Sequence, residues 1–92
     1  MTDPTPTTAE LRARQEWQET VTTAGRAYER SQHAIDAAYR QALAANTPFD
    51  QAKYWAANRA REQLTLAAML KYHERFIAAG KAHDKALKEC AL

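Results

Sequence analysis

Apolar positions in the first half of the chain recur at alternating steps of three and four residues, from Trp17 to Ala42. On an α-helix, this spacing places the side chains on one side, as in the seam of a coiled coil. We therefore predict a long helix with a packed side formed by Trp17, Val21, Ala24, Tyr28, Ser31, Ile35, Ala38 and Ala42. Several of these side chains are small, so a second helix can approach closely.

The second half of the chain carries two apolar stripes at helical spacing. The first consists of Ala52, Trp55, Leu66, Met69 and Phe76, interrupted by Arg59 and Glu62. The second consists of Phe49, Ala56, Ala60, Leu64, Ala67, Leu70 and Ile77. The segment 64–70 is nearly all apolar, and a helix that is apolar around most of its circumference is buried on more than one side. This helix is therefore predicted to have two packing partners.

Punctuation residues divide the chain into a tail and two helices of similar length. Residues 1–6 alternate proline with small polar residues and are predicted to be a flexible tail. Thr7 followed by Glu10 has the spacing of a capping box, which predicts a helix over residues 7–45. Alanine is abundant and glycine rare, which favours helix throughout residues 7–92, the predicted single domain.

The clearest break is the turn at residues 46–48. Asn46 tolerates the left-handed conformation that ends many helices. Thr47 is a candidate cap for the next helix, with Pro48 at its first position, where the missing N–H costs nothing. The second helix is predicted to span residues 48–89.

These elements predict an all-α protein, an antiparallel hairpin of two long helices. Folding about residues 46 and 47 brings Trp17 near Phe76, Val21 near Tyr72, and Tyr39 near Tyr54 and Trp55. The first stripe then closes the hairpin and the second has no partner. Since two helices alone bury little apolar area, we expect two hairpins to pair in a homodimeric four-helix bundle. Leu64, Ala67, Leu70 and Ile77 are the expected dimer contacts. The alternative is a break near Gly25 or Gly80 that gives a compact monomer of three or four helices.

Charge does not single out one class of partner. The 13 basic and 11 acidic residues give a formal charge of +2, so strong nonspecific nucleic-acid binding is not predicted. Arg26, Arg30 and Arg40 nevertheless lie along one side of the first helix and are candidates for an anionic partner. A nucleic-acid-binding hairpin dimer is therefore the alternative function.

Groups with catalytic or metal-binding chemistry are few and do not converge. Glu29, His33 and Asp36 share a helix side, but the helical iron proteins use Glu-x-x-His units on facing helices, a spacing that Glu29 and His33 lack. His73 and His83 lie ten residues apart, and Cys90 is the only cysteine. We predict no enzyme activity, small-molecule substrate, cofactor or metal. No signal peptide or membrane span is recognised, and a cytoplasmic location is expected.

The function that the sequence favours is a non-enzymatic protein–protein interaction module, such as a small adaptor, regulator or inhibitor. Aromatic and arginine side chains are enriched where binding energy concentrates. Tyr54, Trp55, Arg59 and Arg61 are therefore the candidates for an outward, partner-binding surface. Small alanine-rich proteins of this kind occur among bacterial and phage accessory proteins, and no family motif is recognised.

Overall fold

The computed structural model describes residues 5–90 and contains two α-helices over that range. Helix α1 spans Thr8–Ala45 and helix α2 spans Gln51–Cys90. They lie side by side in a hairpin that measures 73 × 19 × 15 Å. The all-α helical hairpin predicted from sequence is thus confirmed. Residues 1–4 of the predicted tail lie outside the described range.

Both helices are continuous through their glycines. Gly25 lies inside α1 and Gly80 inside α2, and neither interrupts the helix. At both positions, an added Cβ would meet nothing within 4 Å. The alternative with a break at a glycine is therefore wrong, because one glycine costs a long helix only about 1 kcal/mol relative to alanine.

Each helix begins at a side-chain cap. The Thr7 hydroxyl accepts a hydrogen bond from the Glu10 amide at 3.1 Å, which begins α1. The cap of α2 is Asp50, not Thr47: one Asp50 carboxylate oxygen accepts bonds from the amides of Ala52 at 2.8 Å and Lys53 at 3.3 Å. A carboxylate at a helix N-terminus satisfies free N–H groups and is stabilised by the helix dipole.

The turn is longer than the sequence predicted, and its conformation differs. Asn46 has φ −83° and ψ 64°, so it is not left-handed. Its side chain instead bridges to Asp50, whose N–H donates to Asn46 Oδ1 at 2.8 Å. The Thr47 hydroxyl donates back to the carbonyl of Ala44 at 3.4 Å. Thr47 and Pro48 therefore belong to the turn, and α2 starts three residues later than expected.

The longer turn shifts the pairing between the helices. Trp17 packs near Phe76 as predicted, with ring centroids 6.4 Å apart, but it also contacts His83 at 5.8 Å. Tyr72 packs against Tyr28 at 5.5 Å, where Val21 was predicted. The midpoint between positions 28 and 72 is 50, whereas the predicted fold axis was at 46–47. The midpoint of Trp17 and His83 is also 50, whereas that of Trp17 and Phe76 stays at the predicted 46.5. Some of the aromatic contacts therefore shift toward α2, as expected from a turn that extends to residue 50.

The side of α2 that closes the hairpin is not the predicted first stripe. Trp55 is 59% exposed and Phe76 is 42% exposed. Most of the half-buried and buried positions of α2 form a different row: Tyr54, Ala57, Asn58, Thr65, Ala68, Tyr72, Ala79, His83, Ala86 and Cys90. Alanine and flat aromatic rings dominate this row, which suits the small residues of α1. Of the residues predicted to form the packed side of α1, Trp17, Val21, Ala24, Tyr28 and Ile35 are buried or half-buried, whereas Ser31, Ala38 and Ala42 are exposed.

The hairpin has almost no core of its own. Among the described residues, the only buried side chains are those of Ala13, Ala24, Ile35 and Ala79. Three of these four are alanines, which contribute little apolar area. Scaffolds with so little buried area ordinarily depend on a disulfide, a metal or an additional packing partner.

Candidate interaction surface

A set of large apolar side chains on α2 is exposed to solvent in the hairpin. We define the α2 apolar face as Trp55, Leu66, Met69, Leu70, Phe76, Ile77 and Leu87. Each of these is more than one third exposed, and Trp55 reaches 59%. Single exposed apolar residues are normal on a protein surface, whereas a contiguous set marks a binding site.

Helix geometry places these side chains on one side of α2. Successive residues rotate by about 100° around a helix. Measured from Tyr72, which faces α1, the members of the α2 apolar face lie between about 40° and 160° in the same direction. The face is therefore centred about 100° from the row that closes the hairpin. Beside this face lies a shallow depression of about 410 Å³, which is lined by Tyr28, Leu66, Met69, Leu70, Tyr72 and His73.

Two of the predicted partner-binding residues belong to the hairpin interface. The Tyr39 hydroxyl donates to Asn58 Oδ1 at 2.8 Å, and Asn58 Nδ2 donates to the Tyr54 carbonyl at 2.9 Å. The Arg61 guanidinium lies over the Tyr39 ring, 4.7 Å from its centroid. The Tyr39–Asn58 bond and the Arg61–Tyr39 contact join the two helices near the turn, whereas the Asn58–Tyr54 bond lies within α2. Arg61 therefore helps to hold the hairpin closed, and Tyr54 is half-buried.

The other two predicted partner-binding residues face solvent. Trp55 contacts the Tyr54 ring at 5.7 Å, and Tyr54 in turn contacts Phe49 at 5.9 Å. These three aromatic rings form a cluster at the start of α2, in which Phe49 is 70% exposed and Trp55 is 59% exposed. Arg59 is exposed one turn further along the helix.

The four residues predicted to form the dimer interface are all exposed, but they do not share one side. Leu70 and Ile77 belong to the α2 apolar face, while Leu64 is 51% exposed on another part of the helix. Leu64 and Leu66 are two positions apart, which separates them by about 160° around the helix. Ala67 lies between these two sides, away from α1.

Trp55, Leu66 and Met69 are surface residues that the sequence assigned to the hairpin interior, whereas Phe76 is 42% exposed and also contacts Trp17 of α1. The signal that distinguishes the two rows is residue size. The row through Ala68, Tyr72, Ala79 and Ala86 alternates alanine with planar side chains, and it matches the close helix approach allowed by α1.

A second groove runs along the opposite side of the hairpin, near its open end. It has a volume of about 780 Å³ and is lined mainly by alanine and threonine, with Trp17 and His83 at its base. Arg30, Glu16 and Glu19 lie on one wall and Arg75 on the other. Its walls contain few large apolar side chains, and they carry charges of both signs.

The predicted anionic-partner residues lie on the outer side of α1. Arg26, Arg30 and Arg40 are all exposed. Glu29 is exposed and Asp36 is half-buried on the same helix, and both reduce the positive potential along the stripe. The stripe is available to an anion, but its charge is interrupted.

The described residues offer no assembled metal centre and no membrane span. Between residues 5 and 90, no group of three or more His, Cys, Asp or Glu side chains is placed to hold a metal ion, so Glu29, His33 and Asp36 do not form such a group. Neither α1 nor α2 is long and apolar enough to cross a bilayer.

Comparison of the chain with protein-family models, with curated proteins and with solved structures finds no match. The α2 apolar face is therefore the feature from which a function can be inferred.

Proposed function

We propose that this chain is a non-enzymatic protein–protein interaction module, a small cytoplasmic adaptor, regulator or inhibitor that acts as a homodimeric helical bundle. The observation that carries the proposal is the α2 apolar face, exposed on a hairpin that buries only four side chains among its described residues. Exposed apolar area of this kind is stabilised by contact with another apolar surface.

The composition of the face favours a protein partner over a nucleic acid. Its members are aliphatic and aromatic, and Trp55 is of a residue type enriched at binding hot spots. Nucleic-acid affinity depends instead on unbroken positive charge along the phosphate backbone. The acidic residues beside Arg26, Arg30 and Arg40 weaken that charge, so the structure favours a protein partner over a nucleic acid.

The proposal is tested in two steps on the full chain. Sedimentation equilibrium over a 100-fold dilution series measures self-association, and we expect a reversible dimer. Capture of tagged protein from a native lysate of the source cells, with and without nuclease, then identifies other partners. A stoichiometric protein that survives nuclease supports the interaction module.

Two results contradict the proposal. If the chain is monomeric across the dilution series and captures no protein, the α2 apolar face does not bind another protein and the proposal is wrong. Partners that are all lost on nuclease treatment, with capture that falls steeply with salt, would assign the function to the arginine stripe and nucleic acid.

A further inference from the structure

We infer that the α2 apolar face binds the same face of a second copy, with the two α2 helices antiparallel about a two-fold axis near residue 71. The inference rests on the self-association in the proposed function and adds the face, the direction and the register. Homodimers are most often built around one two-fold axis, which requires a surface complementary to itself.

The first support is the angle between the two packed sides of α2. In a four-helix bundle with a square cross-section, each helix contacts two neighbours that lie roughly at right angles. The row of α2 that faces α1 and the α2 apolar face are about 100° apart. Helix α2 thus has the surface of a corner helix, but the hairpin supplies only one of its two neighbours.

The second support is the symmetry of the apolar positions about residue 71. An antiparallel pair brings each residue opposite the one equally far on the other side of the axis. Leu66 then faces Phe76 of the second copy, Met69 faces His73, and Trp55 faces Leu87. All five of the apolar residues in these pairs are exposed in the hairpin. The axis therefore pairs large apolar groups with one another at both ends of α2.

The third support is charge complementarity where the apolar stripe is interrupted. The same register brings Arg59 to within one position of Asp84 of the second copy, and both residues are exposed. Glu62 meets Gly80, where an added Cβ would find nothing within 4 Å, and the adjoining Lys81. Arg59 and Asp84 of one chain are about 37 Å apart along the helix, so they cannot pair within it. These two residues can therefore form an ion pair only between two copies of the chain.

Helix α1 supports the same axis independently. Leu11 and Leu43 are its two exposed large apolar residues. Both lie on the side of α1 that adjoins the α2 apolar face, and their midpoint is residue 27. Because Tyr28 packs on Tyr72, position 29 of α1 is level with the proposed axis, and residue 27 lies two positions away, about 3 Å along the helix. The axis that pairs α2 with itself therefore also brings Leu11 to within about one helical turn of Leu43 of the second copy.

The available area is close to that of an ordinary dimer. At roughly 150–200 Å² for a large side chain, about half of it exposed, the seven members of the α2 apolar face offer on the order of 600 Å² per chain. Specific interfaces bury about 800 Å² per partner. Leu11, Leu43 and the flanking polar residues supply the remainder.

Charge reversal with rescue tests the register. Arg59→Glu places a carboxylate beside Asp84 at two symmetric sites, and we expect the dimer dissociation constant to rise about tenfold or more at low salt. Arg59→Glu combined with Asp84→Arg restores the attraction and is expected to return the constant to within about threefold of the original chain. Arg26→Glu, on the outer side of α1, is the matched control and leaves it unchanged.

Spin labels on the native Cys90 test the direction without changing the interface. In the antiparallel pair, the two Cys90 residues are about 55 Å apart along the helix axes, since each lies 19 positions beyond the axis. A parallel pair brings them within about 20 Å. Pulsed electron spin resonance on the labelled dimer separates these distances.

The outcomes separate the inference from the proposed function. A monomer at every concentration refutes the self-association on which both rest. A dimer with a short Cys90 distance, or one that the double charge reversal does not rescue, refutes the antiparallel register and leaves self-association intact. Rescue together with the long distance supports the inference.

Discussion

Leu66→Glu is expected to weaken the proposed dimer, and Leu64→Glu is its matched control. The two leucines are 58% and 51% exposed in the hairpin, in the same helix and two positions apart. Both changes put a good helix former on an exposed helical position, so each alone is expected to alter the stability of the hairpin by no more than about 0.5 kcal/mol. The two leucine side chains point to different sides of α2, and only Leu66 belongs to the α2 apolar face.

The expected effect follows from the exposed fraction of Leu66. Full burial of a leucine side chain contributes about 1.5–3 kcal/mol, so covering the exposed 58% contributes roughly 1–1.7 kcal/mol. The two-fold axis repeats the site, which makes the loss about 2–3.5 kcal/mol per dimer. That corresponds to a rise of about 30- to 300-fold in the dissociation constant. Burial of the new carboxylates increases the penalty further.

Sedimentation equilibrium at several loading concentrations measures both dissociation constants, and far-ultraviolet circular dichroism checks that each variant keeps its helices. We expect Leu66→Glu to be largely monomeric where the original chain and Leu64→Glu are dimeric. The reverse result, with Leu64→Glu dissociated and Leu66→Glu dimeric, would refute the reasoning and assign the interface to the side of Leu64 and Ala67. Equal, small effects would mean that neither side is buried.

Three further substitutions test the hairpin itself, by denaturant unfolding at fixed protein concentration. Asp50→Ala removes the cap of α2 and is expected to lower the free energy of unfolding by about 1 kcal/mol, whereas Thr47→Ala changes it by less than about 0.5 kcal/mol; a larger loss at Thr47 would contradict the cap assignment. Tyr39→Phe leaves Asn58 Oδ1 without its donor and is expected to cost about 1 kcal/mol, and no change would mean that water replaces the bond.

The sequence predicted the hairpin because its helix boundaries depend on local chemistry. The cap at Thr7 and the break after Ala45 are encoded by neighbouring residues, so they can be recognised without knowledge of the tertiary structure. The second cap was misplaced because Thr47 and Asp50, three residues apart, both have side chains that can cap a helix. Only the folded turn, in which Asn46 bonds to Asp50, decides between them.

The side of α2 that faces α1 could not be predicted by periodicity. Apolar residues occupy most of the circumference of this helix, so several rows satisfy the spacing of an amphipathic helix equally well. The choice depends on which row matches the shape of α1, where the packed residues include Ala13 and Ala24. Small and planar side chains allow that close contact, and the larger Leu66 and Met69 are left outside. The wrong assignment of these two residues and their exposure on the surface thus have one cause.

The proposed dimer constrains how any other protein can bind. Trp55 and Arg59 lie in the α2–α2 contact, so a partner that needs them must displace the second copy, and its apparent affinity falls as the chain concentration rises. The sides that stay open are the outer side of α1, with Arg26, and the alanine-lined groove beside Arg75. Leu66→Glu leaves the affinity of a partner bound on these open sides unchanged, although a monomer binds one such partner where the dimer binds two. Self-association therefore competes with a partner on the α2 apolar face and is compatible with a partner on the other sides of the hairpin.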